Sequence, residues 1–117
     1  GHMSVLTSSG TAAISISLSA FLRSGDHLLV IDTAYRSTRR FCDDVLACYG
    51  VEVTYFSPGI GAEIAALIRP NTRMVFLETP GSLTFELADV RAITMVTRPR
   101  GIVTALDNTW ATPLLFR

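Results

Sequence analysis

The sequence predicts an α/β domain of three layers: a mostly parallel, Rossmann-like sheet with helices on both faces. Three observations predict it. Short apolar strand patterns alternate with helical ones along the 117 residues, the order that yields a parallel sheet. The strand runs are continuously apolar, as in strands covered on both faces. Asp32, Glu78 and Asp107 each follow or end such a run, at the sheet edge where open parallel sheets bind ligands.

The elements follow in order. Ala12 to Arg23 carries apolar Ala13, Ile14, Ile16, Leu18, Phe21 and Leu22 and reads as a helix stopped by Gly25. His27 to Ile31 is the first strand, closed by Asp32. Ser37 or Thr38 is placed to cap a helix running to Tyr49, and Gly50 ends it. Val51 to Phe56 is the second strand, followed by a Pro58-Gly59 turn and a short helix from Ala62 to Ile68. Arg73 to Leu77 is the third strand, with a loop at Pro80-Gly81. Asp89 to Thr97 is helical up to Pro99, and Ile102 to Leu106 is the fourth strand. Gly1-His2-Met3 reads as a cloning scar and is set aside, so the domain is read over residues 4–117.

Composition narrows the function classes. The chain is 49% hydrophobic and 17% charged, with no net charge, a mean hydropathy of +0.39 and a pI near 6.9. No basic stripe points to nucleic acid or to an anionic membrane. No apolar run approaches the roughly 18 residues that span a bilayer. Cys42 and Cys48 are six apart in a predicted helix, a rotation of about 600°, so they do not share a face. A disulfide between them is not expected, and a cytoplasmic location is. All ten basic residues are Arg and none is Lys. That excludes any chemistry needing a side-chain amine from this stretch of chain.

Three places could carry chemistry. Ser8-Ser9-Gly10-Thr11 opens a helix, and free N–H groups there favour an anion, although an ordinary N-cap has the same look. Tyr35 lies in the loop after the first strand, where an aromatic can stack on a flat ring or simply pack on its neighbours. Asp107 heads Asp107-Asn108-Thr109-Trp110 at a strand end. A carboxylate there can keep a ring nitrogen protonated or merely cap the strand. No metal site is expected, because the two cysteines face apart and His27 stands alone. His27 should also lie at the opposite sheet edge from the polar cluster, which leaves no Ser-His-Asp triad.

Three segments together carry a resemblance: SSGTAAISISLSAFLRSGDHLLVIDTAYRSTRRFCDDVL from Ser8, FLETPGSLTFELADV from Phe76 and LDNTWATPLLF from Leu106. They resemble the Cys/Met-metabolism family of pyridoxal-phosphate (PLP) enzymes of fold type I, in order and spacing, over nearly the whole chain. The resemblance implies phosphate-binding amides at Gly10 and Thr11, a ring-stacking aromatic at Tyr35 and a ring-nitrogen carboxylate at Asp107. Within the family the likeness is to the β-lyases. Glu78-Thr79-Pro80 is followed by Gly81-Ser82-Leu83-Thr84 instead of the Asn-Pro of many γ-branch relatives. The implied activity is α,β-elimination from L-cystathionine to homocysteine, pyruvate and ammonia, as in methionine biosynthesis, by a homo-oligomer; the γ-branch synthases and lyases are the alternative.

The family's Schiff-base lysine belongs to a Ser-x-Thr-Lys segment that follows the Asp-Asn-Thr motif and does not occur here. The expectation is therefore a partial PLP-binding large domain, without that lysine and without the C-terminal domain. It should be inactive alone and bind PLP weakly or not at all. Two readings from other classes are a noncatalytic split-gene or assembly module and a small Rossmann-like nucleotide binder.

Overall fold

The computed structural model describes residues 3–116. Four strands, β1 (His27–Ile31), β2 (Glu52–Phe56), β3 (Thr72–Glu78) and β4 (Val103–Asp107), form one parallel sheet in the order β2-β1-β3-β4. Helices α1 (Gly10–Phe21), α2 (Arg36–Arg40), α3 (Val90–Thr97) and α4 (Thr112–Leu115) surround it. The crossover from β1 runs to one side of the sheet, and those from β2 and β3 run to the other. Right-handed crossovers then put their connections on opposite faces. The contacts agree: α1 packs against α2, and α3 packs against the 3-10 helical segment Pro58–Leu67. The three-layer parallel fold expected from the strand patterns is the one observed.

Burial explains the strand composition. All five residues of the central strand β1 are buried, whereas those of β4, an outer strand, are half-buried. Leu28, Leu29, Val30 and Ile31 are fully buried, as are Met74, Val75 and Leu77 of β3. Each fully buried side chain of this size contributes about 1.5–3 kcal/mol. His27 sits among them at the N-terminal edge, as expected, and both ring nitrogens are bonded: Nδ1 to Thr72 Oγ1 at 2.8 Å and Nε2 to Thr54 Oγ1 at 2.9 Å. Thr72 Oγ1 already accepts the Arg69 N–H at 2.7 Å. Thr54 Oγ1 in turn accepts from Arg69 Nη2 at 3.3 Å, so Arg69 bonds both hydroxyls that hold the ring.

The helix boundaries differ from the expected ones for identifiable reasons. Helix α1 begins at Gly10, two residues early, because Ser9 is its N-cap and its hydroxyl accepts the Ala12 N–H at 3.1 Å. It ends at Phe21 and not Arg23. The cap predicted at Ser37 or Thr38 is displaced: Tyr35 is the N-cap of α2, and both hydroxyl residues lie inside the helix. That helix continues as a π-helix over Phe41–Leu46, where the Ala47 N–H reaches back to the Cys42 carbonyl at 3.0 Å, and does not run to Tyr49. The helix expected from Ala62 is the 3-10 segment from Pro58, kinked where Gly61 takes φ 51° and ψ −131°. Cys42 is buried and Cys48 exposed, and both thiols are free. Burial pushes the Cys42 thiol up to about 12.

Candidate functional site

The strand order creates the site. Chain leaves β1 toward one side and β3 toward the other, so a crevice opens between their C-terminal ends. The loop Asp32-Thr33-Ala34-Tyr35 and the end of β3 at Glu78 meet there. The Tyr35 N–H donates to Glu78 Oε2 at 2.7 Å. Glu78 stands in register with Asp107 at the end of β4, so two carboxylates are neighbours at the sheet edge. Burial pushes the Glu78 carboxyl upward. The Tyr35 N–H opposes that shift, and the Asp107 charge adds to it.

A cavity of about 640 Å³ opens at this edge and is lined by Gly10, Thr11, Tyr35 and Asp107 together, with Ser9, Ser37, Glu78, Thr109 and Trp110. Its size falls in the range of about 300–1,000 Å³ usual for small-ligand sites. The four residues singled out in the sequence therefore converge, from three separate stretches of chain.

The start of α1 forms one end of the cavity. Among the described residues, no hydrogen bond uses the N–H of Gly10 or Thr11. The first turn holds no acidic side chain, so the positive end of the helix is uncompensated. A Cβ built on Gly10 would meet nothing within 4 Å, so the backbone is open to close approach. Thr11 Oγ1 lies 3.3 Å from Ser37 Oγ, which adds a second hydroxyl at the same end.

Asp107 belongs to another wall. Its Oδ1 accepts both the N–H of Thr109, at 3.0 Å, and the Thr109 hydroxyl, at 2.5 Å. Among the described residues nothing bonds Oδ2, which leaves one carboxylate oxygen free on a fixed group. The Tyr35 ring also lines the cavity and is 55% exposed, so it is not a loop aromatic packed into the core. Trp110 meets Phe85 edge to face, with centroids 5.1 Å apart. Phe85 belongs to a tight loop in which Leu83 and Phe85 take φ of 65° and 57°. That loop is pinned by the Ser82 N–H to the Thr33 carbonyl at 2.8 Å. Gly81 must be glycine in this arrangement, because a Cβ would stand 2.5 Å from the Thr33 side chain.

A larger cleft of about 890 Å³ lies on the far side of the Tyr35 loop. Part of its charge is engaged internally: Arg39 bonds Asp32 at 2.5 Å and covers the Tyr55 ring at 4.1 Å, and the Tyr55 hydroxyl donates to Asp43 at 2.7 Å. The smaller cavity holds the unused donors and the free carboxylate oxygen, which makes it the candidate site. The sequence places Glu78 among the carboxylates at the ligand-binding edge without a specific role, and offers Ser37 only as a helix cap. The recurrence of carboxylates at strand ends was the available signal for Glu78. Nothing local signals Ser37, whose place depends on α1 and α2 meeting. Among the described residues no group of three or more His, Cys, Asp or Glu could hold a metal ion, and no helix is long and apolar enough to cross a membrane.

Comparison with known proteins adds four findings. Residues 1–117 match the family described as Cys/Met metabolism PLP-dependent enzyme, so the match includes Gly1-His2-Met3. The chain is 45% identical over 116 residues to cystathionine beta-lyase MetC of Escherichia coli, covering 97% of this chain and 29% of that protein. It is 41% identical to the L-alanine/L-glutamate racemase of Wolbachia pipientis wMel, over 93% of this chain and 27% of that protein. The crystal structure of metB from Corynebacterium glutamicum superposes with a TM-score of 0.86 at 34% identity, over 91% of this chain and 28% of that one. The chain thus spans about a third or less of the length of the curated relatives it matches.

Proposed function

We propose, for a chain that belongs to the Cys/Met-metabolism family of pyridoxal-phosphate enzymes, that the cavity at the end of the sheet is the cradle for that cofactor. The Gly10 and Thr11 amides hold the phosphate, the Tyr35 ring stacks on the pyridine, and Asp107 Oδ2 takes the ring N–H. One observation carries this reading: unused amides, a free carboxylate oxygen and a half-exposed aromatic ring line a single cavity. The residues present fit the group, since they offer an anion site, a flat platform and a fixed negative charge. When bound, PLP supplies an electron sink for charge developing on an amino-acid substrate. Asp107 keeps the ring nitrogen protonated for that purpose, and Thr109 holds the carboxylate in place from its other oxygen.

For the whole protein we read a carbon–sulfur lyase acting on L-cystathionine, which releases homocysteine, pyruvate and ammonia. The name of the Escherichia coli relative and the Gly81-Ser82-Leu83-Thr84 turn support the β-lyase reading over the γ-branch. The similarity to a racemase supports amino acids as the substrate class. A homo-oligomer is part of the same reading, and so is a cytoplasmic site of action, which the two free cysteines support. Residues 1–117 contain no Lys, so this chain by itself binds the cofactor weakly and without a covalent bond to a side chain, and it does not turn over substrate.

The experiment uses Trp110, the one tryptophan, as a fluorescent reporter. Titration with 4′-deoxypyridoxine 5′-phosphate, which has no aldehyde to react with the N-terminal amine, should quench it saturably. Asp107→Asn should weaken the apparent affinity about tenfold, the value of one charge-assisted hydrogen bond. The same chain, given PLP and L-cystathionine, should form no pyruvate above a cofactor-only control. Equal responses from wild type and variant, or turnover by the chain, would overturn the reading.

A further inference from the structure

We infer that Glu78 is a positioning residue: by accepting the Tyr35 N–H it clamps the loop after β1 to the end of β3, and so sets the direction of the Tyr35 ring across the cavity. The clamp rests on the reading of Tyr35 as the ring platform.

The geometry carries it. Tyr35 is the N-cap of α2, yet its side chain makes no capping bond. Its carbonyl accepts the N–H groups of Thr38 at 2.9 Å and Arg39 at 3.1 Å, which ties its C-terminal side to the helix. Its N–H is tied at 2.7 Å to a carboxylate 43 residues away on another strand. With both peptide groups held, φ and ψ are fixed, and with them the direction of the Cα–Cβ bond. The residue is 55% exposed, so packing contributes little to the aim of its ring. Glu78 is only 6% exposed and belongs to β3, one of the two inner strands of the sheet. A buried carboxylate is costly unless it is hydrogen-bonded, and the Tyr35 N–H is the bond it makes here.

Glu78 also lines the cavity, so a direct contact with a ligand is the competing role. Amide hydrogen exchange in the full chain separates the two. Glu78→Ala should speed exchange of the Tyr35 N–H at least about tenfold, while the Leu29 and Val75 amides in the core keep their protection. Glu78→Gln keeps an acceptor oxygen and should stay within about threefold of wild type. This isosteric variant also answers the question if Glu78→Ala fails to fold. Binding of 4′-deoxypyridoxine 5′-phosphate supplies a second readout. Glu78→Ala should weaken it, and should weaken it no further in a Tyr35→Ala background, because its effect passes through Tyr35. An unchanged Tyr35 amide in Glu78→Ala, a folded Gln variant that frees that amide fully, or additive losses in the double variant would overturn the clamp. A wild-type chain that takes up no probe would remove the cofactor reading instead, and the exchange of Tyr35 would then decide the clamp alone.

Discussion

A charge on His27 would be cut off from solvent. The residue is fully buried, and both nitrogens are engaged by threonine hydroxyls. Burial pushes its pKa below the ordinary histidine value; Arg69 pushes the same way and Glu52 opposes. The sign follows: above about pH 6.5 both folded and unfolded chains carry a neutral ring, so nothing is gained or lost. As pH falls below that value the unfolded chain takes up the proton first, and stability declines until the folded ring titrates as well. Denaturation midpoints measured from pH 7.5 to pH 5, set against a His27→Gln variant, should show this loss in the wild type alone. A wild type that gains on the variant as pH falls would contradict it. Single residues of the site were legible to different degrees. Gly10, Thr11 and Asp107 stood out because each occupies a helix start or a strand end in the sequence itself, and Tyr35 because it is an aromatic in the loop after a strand. Glu78 was legible as a strand-end carboxylate but not as the partner of Tyr35, 43 residues distant, and Ser37 owes its place to a partner 26 residues away, which no local pattern carries.

Strands were the most legible elements, because an apolar run bounded by Gly, Pro or Asp has few other uses. His27 to Ile31 came out as predicted, and the others moved by a residue at one or both ends. Helices were less legible. A cap was expected from Ser37 or Thr38 because hydroxyl side chains cap well. Here a carboxylate from β3 holds the N–H of the N-cap residue, so the helix starts earlier. The widening into a π-helix at Phe41–Leu46 is likewise absent from residue periodicity. Helix α1 is the contrary case, a start fixed by one local side chain. Ser9→Ala removes the acceptor for the Ala12 N–H and should cost about 1 kcal/mol, seen as a lower denaturant midpoint with an unchanged slope. A cost below the error of that measurement would show that Ser9 does not cap α1 in solution.

For the molecule as a whole, the surface is the telling part. Leu83, Leu87 and Leu115 are largely exposed, and an apolar groove of about 580 Å³ runs between Pro80, Val90 and Leu115. Patches of this kind mark surfaces made for contact. The 12.7 kDa chain should therefore self-associate, with a light-scattering mass that rises with concentration; a monodisperse monomer would refute this. The cavity has a different consequence at the same scale. Its walls come from the start of α1, the loop after β1, the end of β3 and the end of β4, and no one of them encloses it. A molecule that reaches from Gly10 to Asp107 can bind only where every strand pairing between them has closed. Occupancy is therefore linked to the completed sheet and not to any local segment. A ligand present at about a hundred times its dissociation constant would add about 2.7 kcal/mol to the unfolding free energy of the entire chain. The same pocket that recognises a ligand would then report, through that added stability, how much of the population is folded.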